Sequence, residues 1–332
     1  MASPLDAKPR RELLTSAARL GLFALGVALV TSRVGLVAHE LVGHGGAAAA
    51  YDAEIREVHL YYTAGGWISY ERGAPWTWTS AIVVSLAGIA VELILAAVAA
   101  VGAWWAARGG RAALAVALGG AALGLFVHGG FYLAAGVHHG VGDGTLVHRR
   151  LGDARGWVTW PAALLIVGVT YAGARRLGAR VRGWLPTRSS VRQLVALAVA
   201  LGAAAGAHAG LAATELTLRP SPTYQAIMKP AREKAIDADV ARWVEAEARA
   251  GREPGRAQVR ARRARLDAER PRPFPFGPLL GVAIALAAAV GAARGRPRSG
   301  RTERLPNAAV LCAVTLAVLA ALCVGAIDAL AP

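Results

Sequence analysis

His39-Glu40-Leu41-Val42-Gly43-His44 is the stretch of this chain whose residue types could do chemistry. Two imidazoles flanking a carboxylate on one helix are the parts of a hydrolytic zinc site. The metal takes three protein ligands and keeps a fourth position for water. It lowers the pKa of that water, and a nearby carboxylate accepts the proton. The common helical form is His-Glu-x-x-His, whose histidines share a face at i,i+4. This motif has one residue more. His39 and His44 are i,i+5, about 140° apart on a regular helix of 3.6 residues per turn. They can close on one ion only where the helix ends or is locally overwide. A π-bulge satisfies that condition and often marks a functional site. Gly43, Gly45 and Gly46 make the distortion inexpensive.

Other ionisable residues extend the candidate set. Glu92 and His128 lie within apolar runs, where a charged or polar side chain is costly unless paired. Glu92 could be a metal ligand, or it could orient a histidine or the catalytic water. His128 could be a ligand or a ring satisfied by a helix carbonyl. His138 and His139 sit just before Asp143, whose Asp-Gly step reads as either a ligand or a turn. His59, His148 and His208 carry no spacing argument. Cys312 and Cys323 share the last apolar run and read as small core residues, not as a disulfide or a metal site.

These residues must be positioned by a membrane fold. The chain has 332 residues, 55% of them hydrophobic, in continuous rather than alternating apolar runs. Runs near 20 residues suit helical spans, since lipid offers no partner to an open backbone. Spans are expected at 13–50, 81–106, 112–137, 157–174, 193–213, 275–293 and 306–329. The expected fold class is an all-α polytopic membrane protein of about seven transmembrane helices, with a short membrane-associated β-hairpin or loop after the first. Val58–Tyr62 and Gly66–Tyr70 are β-leaning runs around a Gly turn, and Trp67, Trp76 and Trp78 suit a membrane interface. The net charge of +16 comes with arginines in short loops, not with interleaved aromatics, which argues against nucleic acid. If 13–50 crosses once, the basic segments at Lys8–Arg11, Arg108–Arg111, 175–192 and 294–304 all face the cytoplasm, with the N-terminus inside. The chain then divides into a basic cytoplasmic N-terminus (1–12), a core (13–156) with an interfacial loop (51–80), additional spans (157–213), an extramembrane helical insertion (214–274) and a C-terminal helix pair (275–332). Within the insertion, one helix is expected over Tyr224–Arg249 and a second, very basic one up to about Arg270. No repeat pair of Gly/Pro-broken spans points to a transporter.

The His-Glu-x-x-x-His stretch is similar to the motif of dipeptidyl peptidase III, a zinc peptidase that accommodates the extra residue. Over residues 30–150 the order of motifs resembles the site-2 protease family of intramembrane zinc metalloproteases. There, a His-Glu-x-x-His helix is followed by strands or a membrane-inserted loop. Next comes a span with an Ala-Gly-Pro-x-x-Asn-like element, and then an Asp-Gly that supplies the third ligand. Here Ser85-Leu86-Ala87-Gly88-Ile89-Ala90-Val91-Glu92 opens the second span, and Gly142-Asp143-Gly144 follows the third. Ile89 replaces the family's Pro, Glu92 stands where its Asn would be, and His138-His139-Gly140-Val141 replaces the Asn-Pro before Asp-Gly.

The resemblance implies Zn²⁺ held by His39, His44 and Asp143, with Glu40 as general base. Glu92, His128, His138 and His139 are left as supporting residues or alternative ligands. It implies hydrolysis of a peptide bond in or near a membrane segment, with the hairpin adding a strand to the substrate. The expected partners are a membrane-protein substrate and the bilayer of a bacterial inner membrane. Two other readings stand beside it: a zinc hydrolase of lipid amides or esters, and a non-catalytic relative that binds or escorts partners.

Overall fold

The computed structural model describes residues 4–296 and 304–331, with side chains from residue 10 onward. Arg298 and Arg301 of the last basic loop lie outside the described residues. Among those described, seven helices are long and apolar enough to cross a membrane, and one two-stranded sheet accompanies them.

The first span is continuous: α1 (Pro4–Val37), a π-helical segment (Ala38–Gly45) and α2 (Gly46–Ala49). The basic stretch at 1–12 is therefore largely the start of α1 and not a separate tail. The hairpin follows as β1 (Ala53–Leu60) and β2 (Gly66–Arg72), antiparallel, with Val58 opposite Ile68 and a register shift between Ile55 and Glu57. It is longer at its base than the sequence suggested. It packs on the π-segment through Ile55 and Ile68, which lie over Gly45.

Helices α3 (Trp78–Arg108) and α4 (Ala112–His139) form an antiparallel pair, turned tightly at Gly109–Arg111. Thr77 caps α3, its hydroxyl accepting from the Ser80 N–H at 3.2 Å. The fourth span starts earlier than expected, with α5 (Gly144–Leu151) and a 3₁₀ turn leading into α6 (Gly156–Arg182). Helix α7 (Ser190–Leu218) runs on to the last residues before Pro220. Then come α8 (Pro222–Met228), α9 (Ala231–Arg249), α10 (Arg256–Glu269), α11 (Phe276–Arg294) and α12 (Asn307–Leu330).

The single helix expected over Tyr224–Arg249 is two helices. Pro230 forces Lys229 to extended backbone at φ −73°, ψ 131°, which ends α8. Cys312 and Cys323 are exposed, not in the core. A face turned to lipid needs only to be apolar, which a thiol satisfies.

Small residues set the helix spacing, as expected where lipid gives no hydrophobic drive to association. A Cβ on Gly26 would come within 2.7 Å of the Ala313 backbone, and one on Gly178 within 2.8 Å of Ala292. Helix α1 thus meets α12, and α6 meets α11, nearly backbone to backbone. Against this frame α1 also packs on α4 and α7, and α4 on α6.

Candidate metal centre

The π-segment solves the spacing problem of the motif. An i→i+5 ladder returns the chain to the same face after about five residues. His39 and His44 therefore point together, with ring centroids 4.8 Å apart and planes at 78°. Their Nε2 atoms are 3.1 Å apart. Glu40, His39 and His44 are all buried, while Val42, the outward residue of the same turn, is 63% exposed.

Asp143 arrives from the opposite side. Helix α4 ends in a left-handed Gly140 (φ 64°), and Gly142 is also left-handed (φ 51°). These two reversals, which side chains seldom adopt, turn the loop back over the π-segment. The Ser85 hydroxyl donates to the Asp143 carbonyl at 2.6 Å and pins the loop to α3. Asp143 Oδ2 then lies 2.9 Å from His39 Nε2 and 3.2 Å from His44 Nε2. Burial alone would raise the Asp143 carboxyl, but hydrogen bonds to His39 and His44 outweigh it and hold it down to about 2. It is anionic at neutral pH, the form that ligates metals.

His39, His44 and Asp143 are the group among the described residues that could hold a metal ion by donor type and spacing. The triangle fits zinc. Tetrahedral ligands at 2.0–2.1 Å from the metal are about 3.3 Å from one another, and the three edges here are 2.9, 3.1 and 3.2 Å. The far sides of the rings fit as well. His44 Nδ1–H donates to the Val84 carbonyl at 2.7 Å, so Nε2 is the nitrogen left for a metal once its proton is released. His39 Nδ1 has no hydrogen-bond partner within normal length, and the Glu92 carboxylate lies 3.6 Å away. A small rotation of the ring would complete the carboxylate–histidine pairing common behind metal ligands.

Glu92 sits on the opposite side of the His39 ring from Asp143. Its slot lies between two glycines: a Cβ on Gly129 would be 3.1 Å from Oε2, and one on Gly35 would be 3.7 Å from Oε1. His128 Nδ1–H donates to both Glu92 oxygens at 3.0 Å, and the His128 side chain is otherwise turned outward. Glu92 and His128 thus form a buttress behind His39. His138 and His139 find their partners on α11: His138 stacks on Phe276 at 4.5 Å, and the Gly277 N–H donates to His139 Nε2 at 3.2 Å. Among the described residues no hydrogen bond or ion pair engages the Glu40 carboxylate. His59 and His148 are occupied elsewhere, beside Asp328 and on the Val137 carbonyl.

Two participants escaped the sequence reading. Gly88 of α3 faces the triangle: a Cβ there would lie 2.6 Å from His39 Nε2 and 2.7 Å from His44 Nε2. Gly43 crosses it, its own Cβ position 2.5 Å from the Gly88 Cα. The signal was present as one glycine in each motif, but only the crossing explains it. Tyr132 of α4 is the second, its ring 6.1 Å from those of His39 and His128.

Fold and site together define a membrane protein with, among the described residues, seven helices long and apolar enough to span, a largely buried His-His-Asp group, and a two-stranded hairpin packed on the π-segment. Comparisons with protein-family models, with curated proteins and with solved structures returned no match.

Proposed function

We propose that this chain is an intramembrane zinc metallopeptidase, similar in the order of its motifs to the site-2 protease family. The observation that carries the reading is the π-helical segment. It makes a motif one residue too long present both imidazole Nε2 atoms, with Asp143 Oδ2, as a triangle of zinc-ligand dimensions.

His39, His44 and Asp143 would hold the metal. Zinc in such a site supplies an activated water and polarises the carbonyl under attack. Glu40, buried beside both ligands and without a hydrogen-bond or ion-pair partner among the described residues, would take the proton at its carboxylate and return it to the leaving amine. The Val84 carbonyl and Glu92 would orient the two imidazoles. Burial of the group under α3 and the hairpin would limit water to the site. The hairpin edge would hold an unwound substrate segment by strand addition.

A second reading is favoured by one feature. An apolar cavity of about 460 Å³ between α4 and α11 has Tyr132, Val141, Met228 and Gly281 in its wall, and Tyr132 is shared with the metal group. That volume lies within the usual range of small-ligand pockets and would suit the acyl chain of a lipid amide or ester.

Elemental analysis of detergent-purified protein tests the metal. About one zinc per chain in wild type, lost in His44→Ala and in Asp143→Ala, is expected. Wild-type protein that takes up no zinc on reconstitution refutes the enzyme reading and leaves a non-catalytic membrane protein. Reconstitution with single-span peptides and, separately, with lipid amides then decides between substrates. Zinc-dependent peptide fragments support the peptidase, and lipid products alone support the second reading.

A further inference from the structure

The turn of the hairpin, residues 61–65, carries a second group of buried charges, unrelated to the metal ligands. It packs beside Arg33, six residues before His39 on the same helix, and so about 9 Å farther from the hairpin-proximal end of the first span at 1.5 Å per residue. The turn has no strand partners for its backbone groups, and a partly buried backbone needs partners for its N–H and C=O groups.

Three helices supply them. Glu215 of α7 accepts from the N–H of Tyr62 (2.6 Å), Thr63 (2.6 Å) and Ala64 (3.2 Å) and from the Thr63 hydroxyl (2.7 Å). Arg33 of α1, 3% exposed, donates to the carbonyls of Tyr61 (2.5 Å), Thr63 (3.2 Å) and Ala64 (2.6 Å). Asp328 of α12 accepts from the Leu60 N–H at 2.7 Å. Arg219, just beyond α7, joins the two acids, 3.3 Å from Glu215 and 2.6 Å from Asp328. The Tyr61 hydroxyl donates to the Arg219 carbonyl at 3.1 Å. The four formal charges cancel, donors face carbonyls, and acceptors face amides. Nothing in this set requires a ligand or a reaction to explain it: Glu215 and Arg33 hold the turn, Asp328 holds the adjoining end of β1, and Arg219 ties the two acids together.

We infer that Arg33, Glu215, Arg219 and Asp328 form a charge-balanced clamp that keeps the hairpin turn inserted among the helices. On this inference α7 and α12 serve as the hairpin's anchors. Resting on the peptidase reading, Glu215 and Arg33 are positioning residues: they set where the hairpin edge lies over the metal group and touch neither metal ligands nor substrate.

The test uses full-length protein in nanodiscs, with Glu215→Ala, Glu215→Gln and Thr63→Val beside wild type. Hydrogen exchange is read on peptides covering residues 60–66. Losing a charged acceptor from three amides should speed their exchange roughly ten- to hundredfold in Glu215→Ala. Glu215→Gln, which keeps a carbonyl acceptor, should restore part of the protection, and Thr63→Val should change it little. Zinc content should stay at the wild-type value in all three. Where a single-span peptide is cleaved, KM should rise in Glu215→Ala with kcat nearly kept. Unchanged exchange in Glu215→Ala overturns the clamp. Loss of zinc or of kcat with KM unchanged overturns the positioning role, because it would put Glu215 in the metal centre. If wild type cleaves nothing, the peptidase reading fails by itself, and exchange and zinc content still judge the clamp. Glu215→Ala that fails to fold leaves Glu215→Gln as the deciding variant: losing the charge on the shared acceptor should still speed exchange of residues 60–66 above wild type, and exchange equal to wild type overturns the clamp.

Discussion

Gly88→Ala isolates the geometry of the metal group without touching a ligand. The new Cβ would stand 2.6 Å from His39 Nε2 and 2.7 Å from His44 Nε2, where ordinary contact begins at 3.4 Å. The overlap is about 0.7–0.8 Å against both ligand atoms at once, on a part of the molecule with close packing and few voids. The rings can yield only by small rotations. His44 is tied to the Val84 carbonyl behind it, and Glu92 backs His39. A zinc site tolerates ligand displacements of about 0.2 Å, so relaxation shared between the two rings still exceeds the tolerance. Removing a supporting residue costs metal sites roughly 10–100-fold in affinity, and displacing two ligands should cost more than the upper figure. The assay is zinc per chain against a chelator series, with helical content and monodispersity as fold controls. Gly46→Ala is the comparison, because its Cβ would meet nothing closer than 4.0 Å. Gly88→Ala that binds zinc as tightly as wild type would refute the proposed site.

Further outcomes follow from the same geometry. Glu92→Gln should weaken zinc by roughly 10–100-fold without abolishing it, whereas Asp143→Ala should abolish it; equal, complete losses in a chelator titration would make Glu92 a ligand. Glu40→Gln should keep zinc near one per chain and lower turnover by roughly 10²–10⁴-fold; loss of metal instead would move Glu40 out of the base role. Deletion of Val42, an outward-facing residue, should convert the motif to i,i+4 spacing and retain zinc with reduced affinity, because an α-helix also brings such a pair to one face; complete loss of zinc, with the fold intact, would show that the π-segment is required for more than spacing. Gly281→Leu should fill open space in the cavity between α4 and α11, and if the substrate is a lipid amide its turnover should fall while peptide cleavage is unchanged.

What the sequence revealed follows from what bilayers enforce. Long apolar runs must be helices, so the seven spans were legible to within a few residues, apart from the fourth. That span was underestimated because α5 and the 3₁₀ turn carry Arg149, Arg150 and Asp153, which break the apolar signal though the chain stays helical. The i,i+5 histidines implied that the helix either ends there or is locally overwide, and it is the widened form that occurs. The break at Lys229–Pro230 was readable from Pro230 but masked by the Ala- and Glu-rich run around it. The Gly43–Gly88 crossing and the joint hold of Arg33 and Glu215 on the hairpin turn were not readable. Each joins residues far apart in the chain, and a glycine or a lone charge within a span does not name its partner.

Two sets of buried charges share the first span. Residues 39–44 meet α3 and the loop after α4, and Arg33 meets the hairpin turn with α7 and α12. Arg33 lies six residues before His39, and the hairpin bridges the two sets again, its turn on Arg33 and its Ile55 and Ile68 over Gly45. Any tilt of the hairpin that shifts the turn against Arg33 must therefore also shift those two side chains against the π-segment. The π-segment is the least regular part of α1, since its widened ladder fits only a few residues. Packing on both its faces, by Gly88 on one side and the hairpin on the other, is what holds it. Replacing Ile68 by Ala should accordingly loosen the His44 end of the motif more than the His39 end. Hydrogen exchange of residues 43–47 rising above that of 38–41 would support this order of coupling, and equal change in both segments would refute it.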